Sequence, residues 1–285
     1  MGPAGEYVRA LGELVAPVIV RVRQTAPDVL RVRVSGDANE APHAIELVQR
    51  VLGTGRQTPV FDRGAAQLPW LCELAARMRG VRAPRYPSLW EACANAIVFQ
   101  QISLYAATAI LRRTIIALGE PVRSDGIELY RFPDEATLLA ANDETLRVAG
   151  LSSAKIATLR RVAQAFLSGA LSEAMLEQRP SADAVAFLAG IKGIGPWTAT
   201  VILLRGLGRL DVFPAKDSGV VRSLTALAGG PVDIPATLQM LGSERGMLYY
   251  HLLLARLEAS GRLRDCSRYA SGGRSVDVDD CTRMT

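Results

Sequence analysis

A chain of 285 residues, 49% of them apolar, can bury a sizeable core, which excludes a disordered protein and allows one to three subdomains. The net charge of +5 and the pI near 9.2 favour a polyanionic partner, although a mild basic excess is common among proteins that bind no nucleic acid. Arginine strongly outnumbers lysine, which fits either genomic composition or bidentate binding of phosphate.

Cysteine, histidine and hydropathy patterns argue against two further classes of protein. The four cysteines and two histidines show no spacing typical of a zinc or iron–sulfur site, so we expect no metal held by side chains. The apolar stretch from Gly12 to Val20 is interrupted by Glu13 and Pro17, and no run approaches the roughly 20 residues of a membrane span. We therefore expect a cytoplasmic protein with reduced thiols and no membrane association.

Residues 1–82 are predicted to form a small α+β unit. Apolar and basic residues alternate over residues 17–23 and again over residues 30–34, the period of a half-buried strand. A β-hairpin that turns near Ala26-Pro27-Asp28 is therefore expected. Helices are predicted over residues 43–52 and 68–78, because each of these apolar stretches ends shortly before glycine.

From residue 83 to residue 264 the pattern predicts helices, with no further alternating strand pattern. Ser88 is a candidate N-cap for an apolar run from Leu89 to about Leu118. More helices are predicted over residues 134–141, 143–149 and 153–168, and their short loops indicate a tight bundle. Residues 265–285 form a polar tail that we expect to be poorly ordered. The fold class is therefore mainly α with an N-terminal α+β subdomain.

Residues 184–206 carry the most informative pattern, a helix, a glycine-rich turn and a second helix. The turn reads Gly190-Ile191-Lys192-Gly193-Ile194-Gly195-Pro196. Gly193 and Gly195 are able to take positive φ and to let a partner approach the backbone, while Pro196 suits the first turn of the next helix. Such a turn can hold a DNA phosphate without reading bases. The glycines alone fit an ordinary corner between two helices equally well.

The segment from Leu188 to Ala199 resembles the helix-hairpin-helix motif of the DNA glycosylase superfamily. Asp211-Val212-Phe213-Pro214-Ala215-Lys216-Asp217 follows at the spacing where that superfamily carries its catalytic aspartate. The similarity is closest to 3-methyladenine DNA glycosylase II, the AlkA-like branch, and covers residues 82–258. Three more segments resemble that branch: Trp90-Glu91-Ala92 with Gln100-Gln101-Ile102-Ser103, Phe132-Pro133, and Gly150-Leu151-Ser152-Ser153-Ala154-Lys155. The resemblance implies a helical glycosylase bundle over residues 83–264 and an accessory domain over residues 1–82.

The resemblance implies that Asp217 is the catalytic residue. Its carboxylate would stabilise positive charge growing on the deoxyribose and orient the attacking water. An alkylated purine is already a good leaving group, so no general acid is needed. Taken alone, the local sequence favours Asp217 as the N-cap of a helix over residues 218–227. Trp197 stands where strand-nicking relatives carry a Schiff-base lysine, so the chain is expected to be monofunctional.

A base pocket is expected from Trp197, Tyr249 and Tyr250. An aromatic wall attracts a cationic base through cation–π interaction, although Trp197 also suits core packing. The two tyrosines lie in a segment that looks like the family's later pocket helix, where the tryptophans often seen are absent.

The resemblance also implies residues that contact DNA. Gln101 would fill the gap left by the flipped nucleotide, whereas the local sequence equally suggests a solvated or capping side chain. The other implied contacts are Gln100, Ser103, Lys192, Gly193, Gly195, Thr198, Arg222 and Arg245, of which the two arginines also suit plain solvation. The hairpin carbonyls of Ala189, Ile191 and Ile194 are expected to bind a structural Na+ or K+, and no cofactor is required for the chemistry.

The expected function is excision of alkylated bases from double-stranded DNA in base excision repair, by a monomer associated with a bacterial nucleoid. Two alternatives stay open at this point. One is a related glycosylase for oxidised or deaminated bases, and the other is a non-catalytic DNA-binding protein with the same hairpin. An unrelated helical enzyme would not explain the hairpin, the downstream aspartate and the basic balance together.

Overall fold

The computed structural model describes residues 6–12, 16–26, 28–124, 126–215 and 218–261. The strands are β1 (Glu6–Leu11), β2 (Val18–Ala26), β3 (Val29–Ser35), β4 (Pro121–Ser124) and β5 (Ile127–Tyr130). The helices are α1 (Ala41–Leu52), α2 (Pro59–Ala65), α3 (Pro69–Arg77), α4 (Leu89–Val98), α5 (Leu104–Leu118), α6 (Glu135–Ala140), α7 (Asp143–Val148), α8 (Ser153–Leu167), α9 (Glu173–Glu177), α10 (Ser181–Ala189), α11 (Pro196–Ile202), α12 (Ser218–Ala228), α13 (Ile234–Met240) and α14 (Met247–Ala259). Within the described ranges, no helix is both long enough and apolar enough to cross a membrane.

The N-terminal sheet has the strand order β1-β2-β3, with antiparallel neighbours. Its inner face packs on α1, where Val18, Val20 and Val22 are buried against Leu47 and Val48. The predicted β-hairpin and the helix after it are thus confirmed. Strand β1 was not predicted.

The prediction of an all-helical chain after residue 83 is wrong in one place. Strands β4 and β5 form a second antiparallel hairpin, with Pro121 opposite Tyr130. Each strand has four residues, which is too few for alternation to be recognised. The single helical run predicted from Leu89 to Leu118 is also two helices. They separate because Ser103 is a second N-cap, whose Oγ accepts a hydrogen bond from the Ala106 amide at 3.2 Å.

Three buried clusters divide the helices and sheets into units. The central lobe contains α4 to α11, with Ile97, Leu159 and Ile202 in its core. The terminal lobe joins α2 and α3 to the C-terminal helices, with Phe61 and Leu248 in its core. Residues 1–82 contribute to two of these cores. The first sheet and α1 share one core, whereas the later helices bury their apolar faces against the C-terminal helices.

A π-helical turn, Leu203–Leu207, extends α11 and joins the two lobes. Leu203 belongs to the central core and Leu204 to the terminal core. Arg50 and Arg85 each donate to the Gly206 carbonyl, at 2.8 and 2.9 Å. Arg50 also pairs with Glu173, at 2.6 Å between Nη1 and Oε1. These contacts fix the N-terminal unit to the seam between the lobes.

Candidate nucleic-acid interface

The glycine-rich hairpin lies between α10 and α11, as predicted. Gly193 has φ +100, and a Cβ at this position would stand 2.0 Å from Thr158 Oγ1 on α8. Gly195 instead has φ −87 and is the N-cap of α11, with no atom within 4 Å of its Cβ position. Positive φ is therefore needed at Gly193 alone, because the backbone there turns tightly against α8. Pro196 takes the first position of α11, as expected.

Gln100 ties the end of α4 to this hairpin. Its Nε2 donates to the Gly193 carbonyl at 3.0 Å and to Thr198 Oγ1 at 2.9 Å. Thr198 is 3% exposed, so its hydroxyl lies inside the structure. In the structure, Gln100 and Thr198 hold the hairpin in place. The loop after α4 and the hairpin thus form one surface.

Gln101 is the exposed tip of the loop between α4 and α5. Its φ of +59 is left-handed, and it is the one described non-glycine residue with positive φ. A left-handed residue with a side chain costs about 1 to 2 kcal/mol and persists only where its surroundings impose it. Such residues cluster at functional sites. Ser103 acts as the N-cap of α5 beside this tip.

Two apolar side chains next to Gln101 were missed by sequence reasoning. Tyr105, in the first turn of α5, is 73% exposed, and Ile102 is 37% exposed. Together they place apolar surface beside Gln101, and stacking of a base on an aromatic ring is worth about 1 to 3 kcal/mol. An exposed aromatic ring in the first turn of a helix has no periodic signature that sequence alone reveals.

Basic side chains surround the hairpin. Lys192 is exposed at the turn, and its carbonyl accepts from Arg161 Nη1 at 3.1 Å. Lys155 Nζ donates to the Val98 carbonyl at 2.7 Å, at the end of α4. Partial desolvation lowers the pKa of Lys155 from its ordinary value. The surface formed by the hairpin and the Gln101 loop is therefore basic.

The aromatic residues predicted for the base pocket take different positions. Trp197 is half-buried against the central core, and its buried Nε1 has no hydrogen-bond acceptor among the described residues. Tyr249 is half-buried and packs against both cores, edge-on to Tyr250 at 5.6 Å. Tyr249 thus lies where the two lobes meet, and Trp197 borders the central core.

Tyr250 lies inside the core and supports Tyr249 from behind. It is 2% exposed, and its hydroxyl lies 3.2 Å from the carbonyls of both Pro84 and Leu204. The guanidinium of Arg205 stands 5.7 Å from its ring centroid. Burial raises the pKa of Tyr250 above its ordinary value. With its ring and hydroxyl in contact with protein, Tyr250 offers no free face to a ligand.

The remaining predicted residues are less closely grouped. Asp217 and Lys216 lie outside the described residues, and so do Cys266 and Cys281 of the predicted tail. Arg222 is exposed on α12, and half-buried Arg245 donates through Nε to the Gly242 carbonyl at 2.8 Å.

The three hairpin carbonyls expected to bind a cation belong to residues around the turn. Ala189 is the last residue of α10, where the helix dipole favours a cation. The Ile191 carbonyl accepts from the Ile194 amide at 2.9 Å, which leaves a second lone pair for a ligand. The carbonyls of Ala189 and Ile191 thus have acceptor capacity that a cation could use.

Comparisons with known proteins show which family the chain resembles in sequence and fold. A model of the family described as "HhH-GPD superfamily base excision DNA repair protein" matches residues 94–236, half of the chain. The chain is 29% identical over 170 residues to a DNA-3-methyladenine glycosylase of Bacillus subtilis, a match that covers 60% of this chain and 56% of that protein. It is 31% identical over 147 residues to DNA-3-methyladenine glycosylase 2 of Escherichia coli, covering 52% and 51%. The chain thus spans about half the length of the curated relatives it matches.

A solved structure covers more of the chain. The 3-methyladenine DNA-glycosylase from Archaeoglobus fulgidus superposes with a TM-score of 0.77 at 27% identity. The superposition covers 89% of this chain and 88% of that one. The likeness therefore extends over most of the chain.

Proposed function

The chain belongs to the HhH-GPD superfamily of base excision DNA repair proteins, and on that premise we propose that it is a monofunctional DNA glycosylase. It acts as a monomer on double-stranded DNA of the nucleoid and excises alkylated bases of the 3-methyladenine and 7-methylguanine type. The observation that carries the proposal is the direct link, through Gln100, between the phosphate-binding hairpin and the strained, exposed Gln101 loop.

This link supports separate roles for the hairpin and for Gln101 on the duplex. The hairpin amides around Gly193 hold a phosphate, because Lys192, Gly193 and Gly195 are exposed and the Cβ position of Gly195 meets no other atom. Gln101 enters the stack and fills the space that the flipped nucleotide leaves. Gln100 fixes the distance between the hairpin and Gln101. The phosphate that the hairpin binds and the gap that Gln101 fills therefore lie at a constant distance from each other along the duplex.

The chemistry is hydrolysis at C1′ of the deoxyribose. The C1′–N bond breaks and its electron pair leaves with the base, which neutralises the positive charge of the alkylated ring. The water oxygen bonds to C1′, and its proton passes to the carboxylate of Asp217 and then to solvent. That carboxylate stabilises the cationic sugar in the transition state. The assignment of Asp217 rests on its spacing from the hairpin and on the family.

Aromatic side chains supply the preference for cationic bases. Trp197 and Tyr249 are half-buried next to the seam between the lobes, where a cation over either ring gains about 0.5 to 2 kcal/mol. Trp197 has no amine, so no Schiff base with the sugar forms and the product is an abasic site.

A monovalent cation on the carbonyls of Ala189, Ile191 and Ile194 belongs to the proposal as well. When bound, it would orient the hairpin amides toward the phosphate. It takes no part in breaking the glycosidic bond.

The proposal is tested by base release from three kinds of duplex. Methylated DNA, DNA with 8-oxoguanine and DNA with hypoxanthine are each incubated with the protein, and half of each product is heated in alkali. We expect free 3-methyladenine and 7-methylguanine from the first duplex, with strand breaks after alkali only. Breaks without alkali would contradict the monofunctional assignment. Release of bases only from the duplexes with 8-oxoguanine or hypoxanthine would mean that the enzyme acts on oxidised or deaminated bases instead of alkylated ones.

A further inference from the structure

Arg161 is an exposed cation that contacts the backbone of the glycine-rich hairpin. It lies on α8, and its Nη1 donates to the Lys192 carbonyl at 3.1 Å. This bond uses one of the five N–H donors of a guanidinium, and no carboxylate pairs with Arg161 in the part of the chain that the structure describes. Most of its donors and its whole charge are therefore left for another partner beside the hairpin.

Helix α8 fixes the position of Arg161 relative to the hairpin. Thr158, three positions before Arg161, has its side chain directly against Gly193, where a Cβ would not fit. Lys155 Nζ donates to the Val98 carbonyl at 2.7 Å, so the same helix also holds the end of α4. The guanidinium is thus carried by a rigid element, and it needs little ordering when it binds a ligand.

The turn of the hairpin has backbone amides with no acceptor. Its exposed residues Lys192, Gly193 and Gly195 have amides that donate no hydrogen bond to any described residue. The Ile194 amide, by contrast, donates to the Ile191 carbonyl at 2.9 Å. The three free amides are therefore the donors available to a phosphate on the hairpin.

Arg161 and the Gly193 amide lie on opposite sides of one peptide group. The Lys192 carbonyl and the Gly193 N–H belong to the same trans peptide, so they point in opposite directions. With about 3 Å for each hydrogen bond and about 2 Å across the peptide, the arginine nitrogen and an anion on Gly193 stand roughly 7 to 8 Å apart. Successive phosphates of one strand rise about 3.4 Å along the axis and are farther apart along the backbone. The separation therefore suits neighbouring phosphates and is too large for a single one.

We propose that Arg161 binds a second phosphate of the DNA strand, next to the phosphate on the hairpin amides. Its hydrogen bond to the Lys192 carbonyl also aids the first contact, because a cation at a carbonyl polarises the peptide and strengthens its N–H as a donor. Two contacts on one strand fix the direction of that strand across the protein, which one contact does not. The proposal rests on the proposed role of the hairpin as a phosphate site, and it does not depend on base excision.

The salt dependence of binding to an undamaged duplex tests the proposal. Each phosphate contact contributes about 0.9 to the magnitude of the slope of log K against log salt, so Arg161→Gln should lower that magnitude by about 0.9. Between about 50 and about 200 mM salt, the variant should therefore lose roughly 3.5-fold less affinity than the wild type. Arg63→Gln is the matched control, because Arg63 is an exposed arginine on α2 in the terminal lobe, and it should leave the slope unchanged.

The variant Arg161→Lys separates phosphate binding from support of the hairpin. It keeps the positive charge and loses the planar fork of the guanidinium, so it should keep the wild-type slope. Weaker binding by Arg161→Gln at an unchanged slope would mean that the arginine only supports the hairpin, and would overturn the proposal. An equal change of slope in Arg63→Gln would overturn it too, because the effect would then reflect net charge. A wild type that releases no base yet shows the slope difference would refute the glycosylase activity and support the phosphate contact.

Discussion

Replacing Gly193 by alanine tests the geometry on which the phosphate site depends. The new Cβ would stand 2.0 Å from Thr158 Oγ1 and 2.8 Å from Thr158 Cγ2, on a backbone with φ +100. The left-handed backbone costs roughly 1 to 2 kcal/mol for a residue with a side chain, and overpacking costs about 1 to 3 kcal/mol. The free energy of unfolding should therefore fall by roughly 2 to 5 kcal/mol. Gly195→Ala, with φ −87 and open space, should lower it by only about 1 kcal/mol or less, because alanine is a poorer N-cap than glycine but meets no steric obstacle.

Urea denaturation of the two variants and of the wild type measures this difference. Adding Thr158→Ala to Gly193→Ala should recover part of the loss, since Oγ1 and Cγ2 are removed and the Thr158 Cβ contact, at 2.9 Å, stays. The recovery is limited because Thr158 Oγ1 also donates to the Ala154 carbonyl at 2.9 Å. Equal stability of the Gly193 and Gly195 variants would refute the argument that α8 and the hairpin are in tight contact.

Three further predictions concern the loop, the exposed ring and a buried histidine. Gln100→Leu should lower the free energy of unfolding by about 1 to 3 kcal/mol in urea titrations, because the buried Thr198 hydroxyl and the exposed Gly193 carbonyl both lose their donor. Tyr105→Ala should weaken binding to a duplex with an abasic analogue by about fivefold to a hundredfold in anisotropy titrations, whereas Ile116→Ala, 45% exposed at the other end of α5, should not. Desolvation lowers the pKa of His251, so the unfolded chain binds its proton first and stability should fall as the pH drops below about 6.5. His251→Phe should flatten that part of the stability profile, and an unchanged pH dependence would show that other groups cause it.

Elements with strong local signals could be predicted from the sequence. The hairpin β2–β3 follows from alternation, and α8 follows from its Ser152 N-cap and the glycine after it. The helix-hairpin-helix segment was placed correctly because glycine and proline restrict the backbone locally. These features depend on residues close together in the chain.

Features that depend on tertiary contacts could not be predicted. The partition of α2 and α3 into the terminal lobe requires contacts across more than 150 positions, such as the Phe61 amide donating to the Glu244 carboxylate. The burial of Tyr250 depends on Arg205 and on distant carbonyls. The left-handed backbone at Gln101 is imposed by its surroundings, since glutamine has no intrinsic preference for it.

The rate of base release by Asp217→Asn tests the central claim most directly. Single-turnover release of 3-methyladenine from methylated duplex DNA should fall by roughly a hundredfold or more, because the amide cannot stabilise the cationic sugar. Asp211→Asn, an exposed aspartate six positions earlier, should retain the wild-type rate. Duplex affinity should stay near the wild-type value in both variants. Undiminished release by Asp217→Asn would contradict the account, because the carboxylate that it places at the reaction centre would then be dispensable.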